Sequence, residues 1–208
     1  DIPNSKTIQM IKKRTFGSDL DTSIKLNEIF VNTSISFGIT PVMKHIPGHG
    51  LTSKDSHLSL PTVSSSLKIL QNQLKLFHHF RHLPYAMTAH IRYDKWDKDD
   101  MATYSKKIIQ KIIRHQIKFK GLIMSDDMTM KANHYDIKES ISKCNHASID
   151  IFLDCSSDWE RYHEVIKTFQ VTNRYKKSLK IRNTKRKIEL KSINIIQYHD
   201  LYNELIKL

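Results

Sequence analysis

Lysine, histidine and aspartate crowd into the fourteen residues Lys44 to His57, KHIPGHGLTSKDSH. The basic pair Lys44-His45 leads into a tight Pro47-Gly48-His49-Gly50 turn, and a polar loop then carries Asp55 and His57 with one residue between them. A carboxylate close to an imidazole fixes its tautomer and raises its proton affinity, which suits a general acid working near neutral pH. The plainer reading of His57, one of twelve histidines, is a surface residue or a satisfied core residue. Farther on, Gly121-Leu-Ile-Met-Ser-Asp126-Asp127-Met128 ends an apolar run on two adjacent carboxylates. On an extended strand end such neighbours point in opposite directions. One acid can face the mouth of a sheet, as a nucleophile or charge stabiliser, while the other packs against backbone. An N-cap pair for a following helix is the structural alternative. Lys44, His45 and Arg14 are donors fit for sugar hydroxyls, an acetamido group, a carboxylate or a phosphate. The Pro47–Gly50 turn has neither P-loop spacing nor a GxGxxG pattern. The acid pair lacks a third ligand at a recognisable spacing, so no metal and no cofactor is expected.

These residues need strands and helices to position them. Short apolar runs at 39–46, 83–91, 121–125 and 148–154 read as buried strands with polar exits. Amphipathic helices are expected over 19–37, 67–80, 102–119 and 137–146, with a further one over 159–169. Ile108, Ile109, Ile112 and Ile113 recur at helical spacing, and Ser64 to Ser66 offer N-cap hydroxyls ahead of the helix at Leu67. Strand–helix–strand alternation argues for a parallel sheet with right-handed crossovers. A buried strand whose carboxyl end bears acids is where barrel enzymes keep their catalytic groups. Four strands are about half of an eight-stranded barrel, and an open four-stranded sheet is the alternative.

The 208 residues are 39% hydrophobic and 26% charged, which fits one globular domain over 1–208. No apolar run approaches the roughly 20 residues of a membrane span. The start, Asp1-Ile-Pro-Asn-Ser-Lys, lacks the build of a signal peptide. Cys144 and Cys155 form no disulfide framework or zinc pattern and read as buried free thiols, so a cytoplasmic location is expected. The net charge of +13 and pI near 9.6 owe much to Arg174–Lys191, where nine Lys or Arg residues face the single acid Glu189. No aromatic-interleaved basic motif accompanies that charge, so no specific nucleic-acid partner is expected. Three of the five glycines, Gly48, Gly50 and Gly121, are expected where backbone geometry demands them.

The motifs KHIPGHG, DSH, MTAH at Met87 to His90 and FKGLIMSDDMTM at Phe119 to Met130, in that order, resemble glycoside hydrolase family 3. They are most similar to its bacterial β-N-acetylhexosaminidase branch, whose members act on peptidoglycan fragments. The resemblance runs from about Arg14 to Asp154. It implies an α/β fold that is part of a (β/α)8 TIM barrel, the C-terminal half. It also implies a retaining glycosidase that releases terminal non-reducing N-acetyl-β-glucosamine from peptidoglycan-derived fragments, in peptidoglycan recycling. Carried over residue by residue, Asp126 is the nucleophile, Asp55 and His57 are the acid/base dyad, and Arg14, Lys44 and His45 bind the sugar. The implied ligand is a small carbohydrate, an N-acetylglucosamine-containing muropeptide or disaccharide. Two departures stand out. The arginine motif begins at residue 14, so the first barrel strands of the family are absent. The family's AGAD-like motif reads Ala147-Ser148-Ile149-Asp150, with Ser where Gly is usual. The alternative expectation is therefore an inactive or split fragment, with a separate chain supplying the missing barrel half.

Overall fold

A computed structural model describes residues 1–185 of the chain, with side chains up to residue 179. Two units are distinguished, Asp1–Tyr175 and Lys176–Leu208. The first holds α1 (Gln9–Lys12), α2 (Leu20–Ser36), β1 (Val42–Ile46), β2 (Thr62–Val63), α3 (Leu67–His79), β3 (Tyr85–Thr88), β4 (Arg92–Tyr93) and β5 (Asp97–Met101). A π-helix (Ile108–Gln116), β6 (Leu122–Met124), α4 (Ile137–Ala147) and α5 (Trp159–Thr168) complete it. A last helix, α6 (Asn173–Lys185), carries the start of the basic segment, whose continuation lies outside the described residues.

β1, β3 and β6 form a parallel sheet in sequential order, with Met43 opposite Ala86 and Ala86 opposite Ile123. α3 and the π-helix provide the crossovers expected between its strands. The fourth expected strand, over 148–154, narrows to a single parallel bridge between Met124 and Ile151. Backbone bonds still join the segments there, with Ser125 N donating to Ile151 O at 2.9 Å and Asp150 N to Ile123 O at 2.8 Å, and side chains add to them. The Asp150 carboxylate accepts from Ile123 N at 2.9 Å, and Ser125 Oγ accepts from Leu153 N at 2.9 Å. Two of the backbone donors, Ile123 N and Leu153 N, are thus satisfied by side chains and not by regular rungs.

A second sheet, order β2-β4-β5, was not legible from the pattern. Two of its strands have only two residues, and β5 reads Asp-Lys-Asp-Asp-Met, with no alternation of apolar residues. It is anchored by Asp97, which is buried and accepts from Ser105 Oγ at 2.6 Å.

The helix expected over 102–119 starts later, because Met101 to Ser105 form turns. Ser105 Oγ accepts from Ile108 N at 3.0 Å, and the body is a π-helix that buries Ile108, Ile109, Ile112 and Ile113. Ser66 sits at the N-cap of α3 but makes no side-chain cap bond, while the Ser64 hydroxyl donates to the Asp94 carboxylate instead. Only Cys144 is a buried thiol. Cys155 is exposed, because the chain has left the sheet by that point.

Two glycines are dictated by close approach. A Cβ on Gly50 would lie 2.1 Å from the Ile2 carbonyl oxygen, and one on Gly121 would lie 2.4 Å from that of Pro84.

Candidate active site

Because β1, β3 and β6 run parallel, the residues at their carboxyl ends open to one end of the sheet. β1 delivers Lys44 and His45, the segment after β3 delivers His90, and the segment after β6 delivers Asp126. The peptides Lys44–His45 and Ile46–Pro47 are cis. Lys44, His45 and Arg14 line one cavity of about 280 Å³, floored by apolar side chains including Met43, Phe77 and Phe80. Arg14 reaches it from the turn that ends α1, where Arg14 N donates to Ile11 O at 3.0 Å.

His45 is the hub. Its backbone N–H and ring Nδ1 both meet Asp1 Oδ2, at 3.3 and 3.0 Å. Burial depresses its pKa to about 3, against the pull of the Asp126 carboxylate and with the push of Lys44 and Arg14. A carboxylate at 3.0 Å would favour the cation, yet burial outweighs it, so the contact is a neutral Nδ1–H donating to Asp1.

His49 lies beside it, with ring centroids 5.3 Å apart. Burial and the neighbouring His45 lower its pKa to about 4, while Asp126 and Asp55 pull it upward. His90 is fully buried and shifted downward, first by burial and against the Asp126 carboxylate. The Asp126 carboxylate thus pulls on three imidazoles, each of which burial holds neutral at pH 7. Its Oδ1 accepts from Asp127 N at 2.9 Å. Neutral imidazoles do not draw the Asp126 carboxylate into an ion pair.

Asp127 turns the other way. Its carboxylate accepts from Thr129 N at 3.0 Å, Thr129 Oγ at 2.7 Å and Cys155 N at 3.2 Å. The two neighbouring carboxylates thus take different partners. The N-cap alternative fails, since the next helix starts at Ile137 and is capped by Asp136.

Asp55 and His57 pair locally. Asp55 Oδ1 accepts from His57 N at 2.8 Å and from His57 Nδ1 at 2.9 Å. Partial burial presses the Asp55 carboxyl upward, but the two bonds from His57 outweigh it and hold it below the usual carboxylate range. With Nδ1 given to Asp55, Nε2 is the ring atom left to exchange protons. The imidazole is 53% exposed.

Sequence reasoning did not place Asp1 or His49 in the site. Asp1 carries no local signal, since its partners lie 44 and 48 residues away. A histidine between two glycines just after a buried strand was a usable hint for His49. Among the described residues, no group of three or more His, Cys, Asp or Glu could hold a metal ion. No described helix is long and apolar enough to cross a membrane.

The Glycosyl hydrolase family 3 N terminal domain matches residues 1–186. The chain belongs to glycosyl hydrolase family 3. A β-hexosaminidase of Psychromonas ingrahamii is 31% identical over 156 residues, which span 71% of this chain and 45% of that protein. The solved structure of NagZ from Neisseria gonorrhoeae in complex with N-trifluoroacetyl-D-glucosamine is similar at TM-score 0.76 and 27% identity, over 86% of this chain and 52% of its own. A family 3 β-N-acetylglucosaminidase from Paenibacillus sp. str. FPU-7 is similar at TM-score 0.76 and 25% identity, over 86% and 36%. The family 3 chain described here therefore spans about 45% of the length of the curated relatives it matches, and its α/β fold is that of family 3 N-terminal domains.

Proposed function

We propose that this family 3 chain carries the reacting groups of a retaining β-N-acetylglucosaminidase. Asp126 attacks the anomeric carbon and forms a glycosyl-enzyme intermediate. His57, held through Nδ1 by Asp55, protonates the leaving oxygen from Nε2 and then takes a proton from the attacking water. Lys44, His45 and Arg14 bind the sugar. The substrate class is a terminal N-acetyl-β-glucosaminide in peptidoglycan-derived fragments, handled in the cytoplasm.

One observation carries this reading: Arg14, Lys44 and His45 line one cavity, and Asp126 follows the carboxyl end of β6, in the same parallel sheet whose strand β1 carries Lys44 and His45. The names of the relatives support the sugar. The sequential parallel order β1-β3-β6, followed by Ile151, supports the C-terminal half of a (β/α)8 barrel, treated as one domain. The test is hydrolysis of a chromogenic N-acetyl-β-glucosaminide by the chain and by Asp126→Asn. The variant should fall to the background rate. Normal turnover would show that the nucleophile is misassigned.

A second reading is favoured by a different observation. Among the described residues β1 pairs with β3 alone, and Ile29, Phe30, Ile35, Ile39 and Val42 are exposed in and around α2 and β1. An apolar face of that extent suits a further segment or a separate chain that completes the sheet. On this reading the 208 residues alone neither unfold cooperatively nor hydrolyse the substrate. Circular dichroism with a thermal melt decides it, and a sharp transition with turnover removes it.

A further inference from the structure

The middle residue of the Asp55-Ser56-His57 motif behaves unlike its neighbours. His57 is exposed and Asp55 half-buried, yet Ser56 is only 1% exposed. Two separate parts of the fold hold it. Its hydroxyl lies 3.2 Å from His49 Nε2, and its carbonyl accepts from Ala132 N at 3.1 Å. His49 belongs to the turn that leaves β1. It is itself 1% exposed, and its other ring nitrogen lies 3.0 Å from Thr52 Oγ. Its backbone N–H donates to Asp1 Oδ1 at 2.6 Å. Ala132 belongs to the loop that leaves β6 and carries Asp126.

We propose that Ser56 is a positioning residue, pinning the Asp55–His57 pair between the turn after β1 and the loop that bears Asp126. The inference rests on the reading of His57 as acid/base. A polar loop has little apolar surface to hold it in place. A general acid must be placed to within hydrogen-bond reach of the oxygen it protonates. A buried hydroxyl on a rigid, fully bonded histidine supplies that placement. Either neutral tautomer of His49 keeps both ring contacts, because Ser56 and Thr52 can each donate or accept. Burial holds that ring neutral at working pH.

The experiment compares the 208-residue chain with Ser56→Ala and His57→Ala. It measures amide hydrogen exchange and kcat/KM on two aryl N-acetyl-β-glucosaminides. A 2,4-dinitrophenyl leaving group departs without protonation, whereas a phenyl leaving group needs the acid. In Ser56→Ala, the Ala132 amide and the Leu58 amide, which donates to Asp55 O at 3.1 Å, should exchange about fivefold faster, the weight of one ordinary hydrogen bond. The Ala86 and Ile123 amides, in the strands, should be unchanged. For the phenyl substrate kcat/KM should fall about 10-fold, while the dinitrophenyl substrate stays within about twofold. His57→Ala should show the same split more strongly. A merely structural serine would lower both substrates together, and that result overturns the proposal. Unchanged exchange at Ala132 in Ser56→Ala overturns it as well, whatever the chemistry does. If His57→Ala fails to split the two substrates, the acid/base reading falls and the positioning role falls with it, while faster exchange would still establish the pin. A chain that hydrolyses neither substrate counts against the functional reading, and Ala132 exchange still decides the pin.

Discussion

His90 Nε2 lies 3.1 Å from the main-chain oxygen of Asp127, and that contact decides how the buried imidazole is protonated. A carbonyl only accepts, so Nε2 carries the proton and Nδ1 is left as the acceptor. Thr103 Oγ stands 2.8 Å from Nδ1 and donates to it, and Thr88 Oγ at 2.8 Å donates to Thr103 in turn. Removing the hydroxyl with Thr103→Val leaves Nδ1 buried without a donor. Urea unfolding should show a loss of about 1–3 kcal/mol, the desolvation cost of one stranded polar atom. A neutral result would mean that Nδ1 has another donor.

Stability should decline on mild acidification. His45, His49 and His90 are all held neutral by burial, with pKa values of about 3 and about 4 for the first two. The unfolded chain takes up protons near pH 6.5, which the folded chain refuses. The unfolded state therefore binds more protons below that pH, and stability rises with pH across this window. The contribution is complete above pH 6.5. It is lost at up to about 1.4 kcal/mol per pH unit for each histidine until the folded ring also protonates. Urea midpoints at pH 7, 6 and 5 measure the slope. The depressed carboxylates Asp19, Asp55, Asp97 and Asp154 act only below this range, whereas the amino group of Asp1, lowered to about 5 by burial, adds to the same slope. A flat midpoint from pH 7 to 5 would contradict the buried neutral cluster.

Arg114 joins the π-helix to the fourth strand position. Its guanidinium meets Asp150 Oδ2 at 2.9 Å and the carbonyls of Phe119 and Gly121 at 3.0 and 2.7 Å. Burial lowers its pKa to about 10, aided by Arg174 and opposed by Asp150, so it stays charged at neutral pH. Arg114→Met should cost about 3–5 kcal/mol, because it leaves the Asp150 carboxylate buried and uncompensated. The loss is read from urea unfolding. It should persist in high salt, since screening hardly reaches a buried pair.

Ser148 closes α4 in the left-handed conformation, with φ 67° and ψ 43°. Ile149 N donates to Cys144 O at 3.0 Å, the bond expected when a helix ends on such a residue. A side chain there costs about 1 kcal/mol, and glycine removes that cost. Ser148→Gly should therefore raise the stability by about 1 kcal/mol, measured as a higher urea midpoint. Ser148→Ala should bring no such gain.

The sequence by itself determined the order and kind of the main elements. Apolar runs with polar exits marked β1, β3 and β6. The isoleucine spacing marked the helix that follows Ser105, because burying one face imposes a period on the residues that form it. Local chemistry was legible too. Asp55 and His57 bond each other across two positions. Tertiary structure alone decided what joins these pieces. The β2-β4-β5 sheet has strands too short and too charged to carry a period. Asp1 reaches His45 and His49 across more than forty residues, and Ser56 reaches Ala132 from another loop. Periodicity and spacing report contacts between residues close in the chain. The neutral state of His45, His49 and His90 comes instead from burial by distant segments, and a one-dimensional pattern does not record burial of that kind.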